Sequence, residues 1–264
     1  MTSDSNFSGT AQPAHLRDYL TTAAGSSSIR WIRAAALGMW EVGDGGRLLD
    51  VGAGNGEVAR ELAGLLPGTE VTALDHSAEA IANASGLHDG SRVKYEVGNA
   101  YELPYPDGHF DGVRSERVLQ HLADPDRAVA EMARVLRPGG RICLIDTDWD
   151  SLQFDGTPEG FHERGVALRR EWLAQTRTVD IPPSGRTLRR RLVTAGLTGV
   201  RTEPVTMVFT DLTEARQIMP FSREMFAAIG MPDSAAGWLG DLETADADGT
   251  FLVALTMWIA VGTR

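Results

Sequence analysis

An α/β fold on a parallel sheet is what this chain predicts, on three observations. Short apolar runs alternate with amphipathic stretches from about residue 47 to 147. A glycine cluster, Gly52-Ala53-Gly54-Asn55-Gly56, sits between the first run and the helical stretch that follows. An acid, Asp75, ends the next run. Alternating strands and helices bury both faces of a parallel sheet. Glycines at the first strand-to-helix turn let the backbone turn sharply and approach a ligand.

The elements follow in order. Leu16, Tyr19 and Leu20 form one helical patch, and Ile29, Ile32, Ala36 and Met39 a second. Gly25-Ser26-Ser27-Ser28 separates them and supplies a cap. Arg47–Val51 reads as the first strand, Glu57–Leu66 as a helix stopped by Pro67-Gly68, and Glu70–Leu74 as the second strand. Ser77–Ala84 is a short helix; Val93–Val97 and Phe110–Val113 are the third and fourth strands. Asp124 is an N-cap before Pro125, and Val129, Met132, Ala133 and Leu136 give that helix a buried face. Arg141–Asp146 is the fifth strand. Beyond residue 150 the alternation breaks. Pro158–Arg177, Thr187–Ala195 and Asp211–Asp248 read as helical, with late strands at Val200–Phe209 and Phe251–Val261. Residues 1–40 are therefore expected to form an N-terminal helical arm. Residues 41–264 form the main domain, with lid insertions at about 151–198 and 211–249, longer than plain loops should be.

Composition narrows the function. The chain of 264 residues has a formal charge of −11, which argues against a broad nucleic-acid surface. Lys94 is its only lysine, and Arg189-Arg190-Arg191 reads as a solvated face. A single cysteine, Cys143, excludes an intramolecular disulfide and a cysteine-based zinc site, and fits a cytoplasmic location. No run is long and apolar enough for a membrane span, and residues 1–13 lack the pattern of a signal peptide.

The glycine loop and Asp75 together suit a ribose, whose hydroxyls a carboxylate can accept. The last glycine of a dinucleotide fingerprint would fall at Glu57, an acid that would repel a pyrophosphate at a helix N-terminus. No Gly-Lys-Ser/Thr is present either. The ligand indicated carries a ribose and no phosphate, as S-adenosylmethionine (SAM) does. Asp50, ending the first strand, can meet the ammonium group of such a ligand through water.

Leu48-Leu49-Asp50-Val51-Gly52-Ala53-Gly54-Asn55-Gly56 resembles motif I of class I SAM-dependent methyltransferases. Gly98-Asn99-Ala100, Leu103-Pro104-Tyr105, Phe110-Asp111 and Arg134-Val135-Leu136-Arg137-Pro138-Gly139-Gly140 resemble later motifs of the same family, in its ubiquinone/menaquinone-biosynthesis-type branch of small-molecule enzymes. The resemblance implies a Rossmann-like seven-stranded sheet whose last strand is antiparallel, with helices on both faces and an added helical lid. It implies that Gly52 and Gly54 line the cofactor's methionine and ribose, and that Asp75 binds the ribose hydroxyls. His76 would pack on the adenine, Asn99 and Ala100 would meet the adenine edge, and Arg114 and Ser115 would contact the methionine part. Asn99 stands where the family usually has Asp, so the position carries no charge.

The implied reaction is methyl transfer from SAM to a small-molecule acceptor, lipophilic or aromatic, in secondary or quinone-like metabolism. The alternatives are a non-methylating SAM-binding protein, such as a cyclase or a regulator, and a nucleotide-dependent oxidoreductase. A nucleic-acid methyltransferase is disfavoured, because Arg114-Ser115-Glu116-Arg117 replaces the family's Asn/Asp-Pro-Pro-Tyr/Phe motif. His121 is the candidate general base, since its ordinary pKa lies near neutrality. Arg117 is a candidate to orient an acidic substrate. Asp146, Asp148 and Asp150 cluster after the fifth strand, with Asp148 the candidate for orienting the acceptor or taking its proton; no metal is expected there. Tyr19, near His15, is placed against the sulfonium by cation–π attraction. Trp172, Met207, Phe209, Met219, Phe221, Met225, Phe226, Met231, Trp238 and Trp258 supply core, and some of them an adaptable apolar pocket. A homodimer is compatible with all of this.

Overall fold

The computed structural model describes residues 26–87, 90, 92–156, 159–176, 184–219, 221–228, 230 and 235–264. His15, Tyr19 and Met231, and the side chain of Trp172, lie outside what is described.

Helix α1, Ser27–Trp40, begins where the Ser26 hydroxyl accepts from the Ile29 amide at 3.2 Å. It buries Ile29, Ile32, Ala36 and Trp40, a three-to-four stripe that also contains Arg33. Strand β1 (Gly46–Val51), helix α2 (Glu57–Leu65), strand β2 (Thr69–Asp75), helix α3 (Ala78–Ser85) and strand β3 (Lys94–Val97) follow. Strand β4 is Phe110–Glu116, and a 3-10 turn, Leu119–His121, precedes helix α4 (Pro125–Val135). The Asp124 carboxylate caps α4 by accepting from the Arg127 amide at 3.1 Å. Strand β5 runs from Leu136 to Asp155 and leads to α5 (Phe161–Thr176). A 3-10 turn (Gly185–Thr187), α6 (Leu188–Thr194) and β6 (Thr198–Phe209) come next. The short helices α7 (Leu212–Ala215) and α8 (Arg223–Ala228), then α9 (Ala235–Ala247) and β7 (Leu252–Thr263), complete the chain.

The seven strands lie in the order β3-β2-β1-β4-β5-β7-β6. β1 to β5 are parallel, and β7 runs antiparallel to both its neighbours. This is the Rossmann-like sheet that the resemblance implies. Strand alternation separates two cores. Leu48, Cys143, Ile145, Met257 and Ile259 pack with α1, α2 and the late helices α5, α7, α8 and α9. Leu49, Val51, Val113, Ile142 and Leu144 pack with α4 and α6 on the other face. Leu188 and Leu192 are fully buried there, so α6 covers the sheet, although it falls in the segment 151–198 expected as lid.

Two boundaries differ from expectation for physical reasons. β4 continues past Val113 because Arg114 and Glu116 are buried among counter-charges that the apolar pattern does not reveal. β5 continues past Asp146 because β7 pairs along it as far as Asp155, across an irregularity between Asp148 and Gln153. The expected helical stretch 211–248 divides into three helices. Among the described residues, no helix is long and apolar enough to cross a membrane.

Candidate cofactor and acceptor site

The glycine loop leaves the carboxyl end of β1 with Gly52, Gly54 and Gly56 at φ of +77°, +53° and +70°. The Gly52 and Ala53 amides donate to the Leu74 carbonyl at 2.7 and 3.0 Å, which draws the loop across the end of β2. A β-carbon at position 52 would lie 2.2 Å from Val118 Cγ2, so the chain after β4 rests directly on this glycine. Asp75 fixes the other side. Its Oδ2 accepts from the Gly54 amide at 2.8 Å, and its Oδ1 accepts from the Ser77 amide at 2.9 Å and lies 3.1 Å from His76 Nδ1. Burial works against the Asp75 charge, but hydrogen bonds from His76, Ser77 and Gly54 hold its pKa below the usual carboxylate value. A carboxylate has about four acceptor positions and three are taken here, so one remains for a ligand hydroxyl. His76 is exposed beside it. Asn99 stands next to this corner, since the Gly98 amide donates to the Asp75 carbonyl. The Asn99 amide oxygen accepts from the Tyr101 amide at 2.9 Å, which closes its own turn and leaves the NH2 end of the exposed side chain to donate. An aspartate at position 99 would present an acceptor instead. Ala100 follows, half-buried.

Beneath the loop lies a buried ion cluster that sequence reasoning caught only in part. Asp50, Arg114, Glu116 and Arg33 are all buried between the sheet and α1. Arg33 grips Glu116 from Nε to Oε2 at 3.1 Å and from Nη2 to Oε1 at 3.2 Å. Arg114 also donates to Glu116, and its Nη1 lies 3.7 Å from Asp50 Oδ1 with no hydrogen-bond partner. Burial pushes the Glu116 carboxyl up, but Arg114, Arg33 and Arg117 overcome it and hold the pKa at about 2. Among the described residues Arg114 and, more weakly, Arg33 offset the Asp50 charge, and burial wins: its pKa rises to about 6. The missed members, Arg33 and Glu116, carry a legible signal, since each is a charge on an apolar stripe. Arg33 Nη1 also binds Glu57 at 3.2 Å. The acid at the start of α2 is therefore partly neutralised, which weakens the repulsion of phosphate inferred from the sequence. Arg114 and Ser115 leave β4 on opposite faces: the Ser115 hydroxyl donates to the Val51 carbonyl at 2.9 Å, away from the ion cluster. The structure does not bring these two side chains together.

On the acceptor side, Arg117 adopts φ of +55°, which is costly for a residue with a β-carbon. Its amide donates to the Ile145 carbonyl at 2.8 Å, and its side chain lies 3.5 Å from Glu116. The 3-10 turn then presents an exposed His121. Gln120 is tied on three sides. Its amide donates to Asp146 Oδ2 at 3.0 Å, its Oε1 accepts from the Trp149 indole at 2.8 Å, and its Nε2 lies 3.1 Å from His121 Nε2. Asp146 is buried and also accepts from the Ser184 hydroxyl at 2.7 Å; burial pushes its pKa to about 6. Asp148 is buried in a two-pronged ion pair with Arg186, at 2.7 and 2.6 Å. Asp150 joins Arg169 on α5 at 2.5 Å and Arg186 at 3.3 Å. Among the described residues, no group of three His, Cys, Asp or Glu could hold a metal ion.

The late aromatics mostly pack on one another. Trp238 stacks on Phe161 at 5.5 Å and on Phe226 at 6.4 Å, and meets Phe154 and Phe221 edge-on. Met207, Phe209, Met219 and Met225 are buried as well. These side chains form a closed core.

The sequence signature of the methyltransferase domain matches residues 49–144. An uncharacterized 37.1 kDa protein in transposon TN4556 of Streptomyces fradiae is 32% identical over 249 residues, which span 92% of this chain and 70% of that protein. The 27-O-demethylrifamycin SV methyltransferase of Amycolatopsis mediterranei is 40% identical over 113 residues, 41% of each chain. In shape, the chain is similar to the Haemonchus contortus phosphoethanolamine N-methyltransferase 2 solved with S-adenosyl-L-methionine. The TM-score is 0.61 at 22% identity, over 94% of this chain and 56% of that one. The signature over residues 49–144 and the order of the sheet agree: the chain carries a SAM-dependent methyltransferase domain of the class I fold.

Proposed function

We propose that this protein transfers a methyl group from SAM to an oxygen, nitrogen or carbon of a small-molecule acceptor. The observation that carries the reading is Asp75, held charged at the mouth of the glycine loop with acceptor capacity remaining. The site fits the cofactor in a second respect: Asp50, buried beside the unpartnered Nη1 of Arg114, forms an acid–cation pair suited to the ammonium and carboxylate of an amino acid. Bound there, SAM supplies a methyl carbon activated by a sulfonium, so positioning provides much of the rate. Gly52 and Gly54 bring the backbone close, Asp75 holds the ribose and His76 flanks the adenine. Asn99 and Ala100 meet the adenine edge, with Asn99 donating. Arg114 serves the methionine end by its side chain and Ser115 by its backbone. His121 takes the proton of a nucleophile that still holds one. Arg117 and Asp148 orient the acceptor, Asp148 through Arg186. The rifamycin-type relative supports an acceptor from secondary metabolism.

Calorimetry tests the assignment. Wild type binds SAM and S-adenosylhomocysteine, and Asp75→Ala loses about 10- to 100-fold in affinity, the worth of one charge-assisted hydrogen bond. Near-native affinity in Asp75→Ala removes the ribose contact. A response to NAD(P) and none to SAM overturns the reading. Formation of S-adenosylhomocysteine with a panel of acceptors separates methyl transfer from a non-methylating use of the cofactor.

A further inference from the structure

We infer that Trp149 and Gln120 form a relay that sets which ring nitrogen of His121 carries the proton. The inference rests on the proposed role of His121 as a base and deepens it. An indole N–H can only donate, so the Gln120 atom at 2.8 Å from Trp149 Nε1 is the amide oxygen. The other end of the amide is then the NH2 group. Its second neighbour, the Arg117 carbonyl at 3.5 Å, can only accept, which agrees. The Gln120 nitrogen therefore donates to His121 Nε2 at 3.1 Å. That nitrogen must hold a lone pair, so the neutral ring carries its hydrogen on Nδ1. In water a free imidazole prefers the other tautomer. A hydrogen bond given to the neutral form also resists protonation.

Gln120 is a positioning residue. It keeps the Nε2 lone pair of His121 free of a proton by donating to it. That lone pair takes the acceptor's proton once the Gln120 N–H has swung aside toward the Arg117 carbonyl, which lies 3.5 Å from Gln120 Nε2. The backbone holds the relay in place. The Gln120 amide is pinned by Asp146, which Ser184 pins in turn, and Trp149 sits three residues after Asp146 on β5. The charged groups on the surrounding elements are Glu116 and Arg117 at the end of β4, Asp124 at the start of α4, and Asp146, Asp148 and Asp150 on β5. Among the described residues, Arg186 on the 185–187 turn and Arg169 on α5 join them.

The test is long-range 1H–15N correlation of the histidine rings in the full chain, with the His121 signals identified by their loss in His121→Asn. The Nδ1–H tautomer is expected to dominate at His121 in wild type by about fivefold or more, the worth of one hydrogen bond. In Trp149→Phe the amide loses the contact that fixes its orientation, and the excess of the Nδ1–H tautomer should fall. The acid limb of the pH–turnover profile should then rise by about half to one pH unit while SAM affinity is unchanged. A dominant Nε2–H tautomer in wild type overturns the relay even if the variant fails to fold. A Trp149→Phe profile identical to wild type overturns it as well. Absence of any turnover or SAM binding would refute the methyl-transfer reading, and the ring tautomer would still be measurable.

Discussion

Replacing Asp50 with Asn should stabilise the apo protein in a way that depends on pH. Asp50 is buried, the Arg114 guanidinium lies 3.7 Å away, and burial raises its pKa from 3.8 to about 6. The native state then holds this proton more tightly than the unfolded chain, so stability falls as pH rises from 3.8 through 6. The cost of the buried charge is about 3 kcal/mol at pH 8 and about 1 kcal/mol at pH 4.5. Asparagine keeps the shape and never carries the charge, but it partners Arg114 less well, which removes part of the gain. That loss does not change with pH. The stability of Asp50→Asn relative to wild type should therefore fall by about 2 kcal/mol between pH 8 and pH 4.5. At a few degrees per kcal/mol for a chain of this size, thermal midpoints should show a swing of about 4–8 °C. Urea unfolding at the two pH values gives the free energies directly. The other buried acids are common to both proteins and cancel. A difference that stays constant with pH would refute the reasoning, as would one that grows in acid. The same variant should bind SAM more weakly, because the ammonium loses its carboxylate.

Three further outcomes follow from the geometry. Gly52→Ala puts a β-carbon against Val118 at a positive φ and should cost about 2–4 kcal/mol in urea unfolding; adding Val118→Ala should recover the clash and not the backbone strain. Arg33→Ala leaves Glu116 with less compensation and should cost about 2–3 kcal/mol at pH 7, below the full price of breaking a buried pair because Arg114 remains. Glu116 has its pKa lowered from 4.5 to about 2, so the stability it contributes is present above 4.5 and lost toward 2; the Arg33→Ala deficit should shrink over that acid range. His121→Ala should lower turnover at saturating SAM and leave the calorimetric affinity for SAM unchanged; unaltered turnover would remove it from the mechanism.

Much of the fold was legible because its signals are local. Ser26 and Asp124 cap the helices they precede, and the glycine loop turns where apolar run meets amphipathic helix. The late part was less legible. Asp211–Asp248 reads as one helical stretch, yet the chain breaks it so that Phe221 and Phe226 meet Trp238, which also stacks on Phe161, 77 residues before it. Hydrophobic pattern identifies such residues as buried and does not say whether they line a pocket or fill one another's space. The same limit applied at the site. Asp75 could be read from its place at the end of a strand, whereas Arg33 and Glu116, 83 residues apart, become intelligible only as partners. Asp148 could be read as a reactive acid until Arg186, from 38 residues away, was found clasping it.

Asp150 gives the acceptor side one more property. Its carboxylate takes Arg169 from a helix on one side and Arg186 from a turn on the other, and both Asp150 and Arg186 are substantially open to solvent. Counter-ions reach such a tie easily, with a screening distance of about 8 Å at physiological ionic strength. The fastening between those two segments should therefore slacken as salt is added, and assays in dilute buffer would sample it tighter than it is at physiological ionic strength.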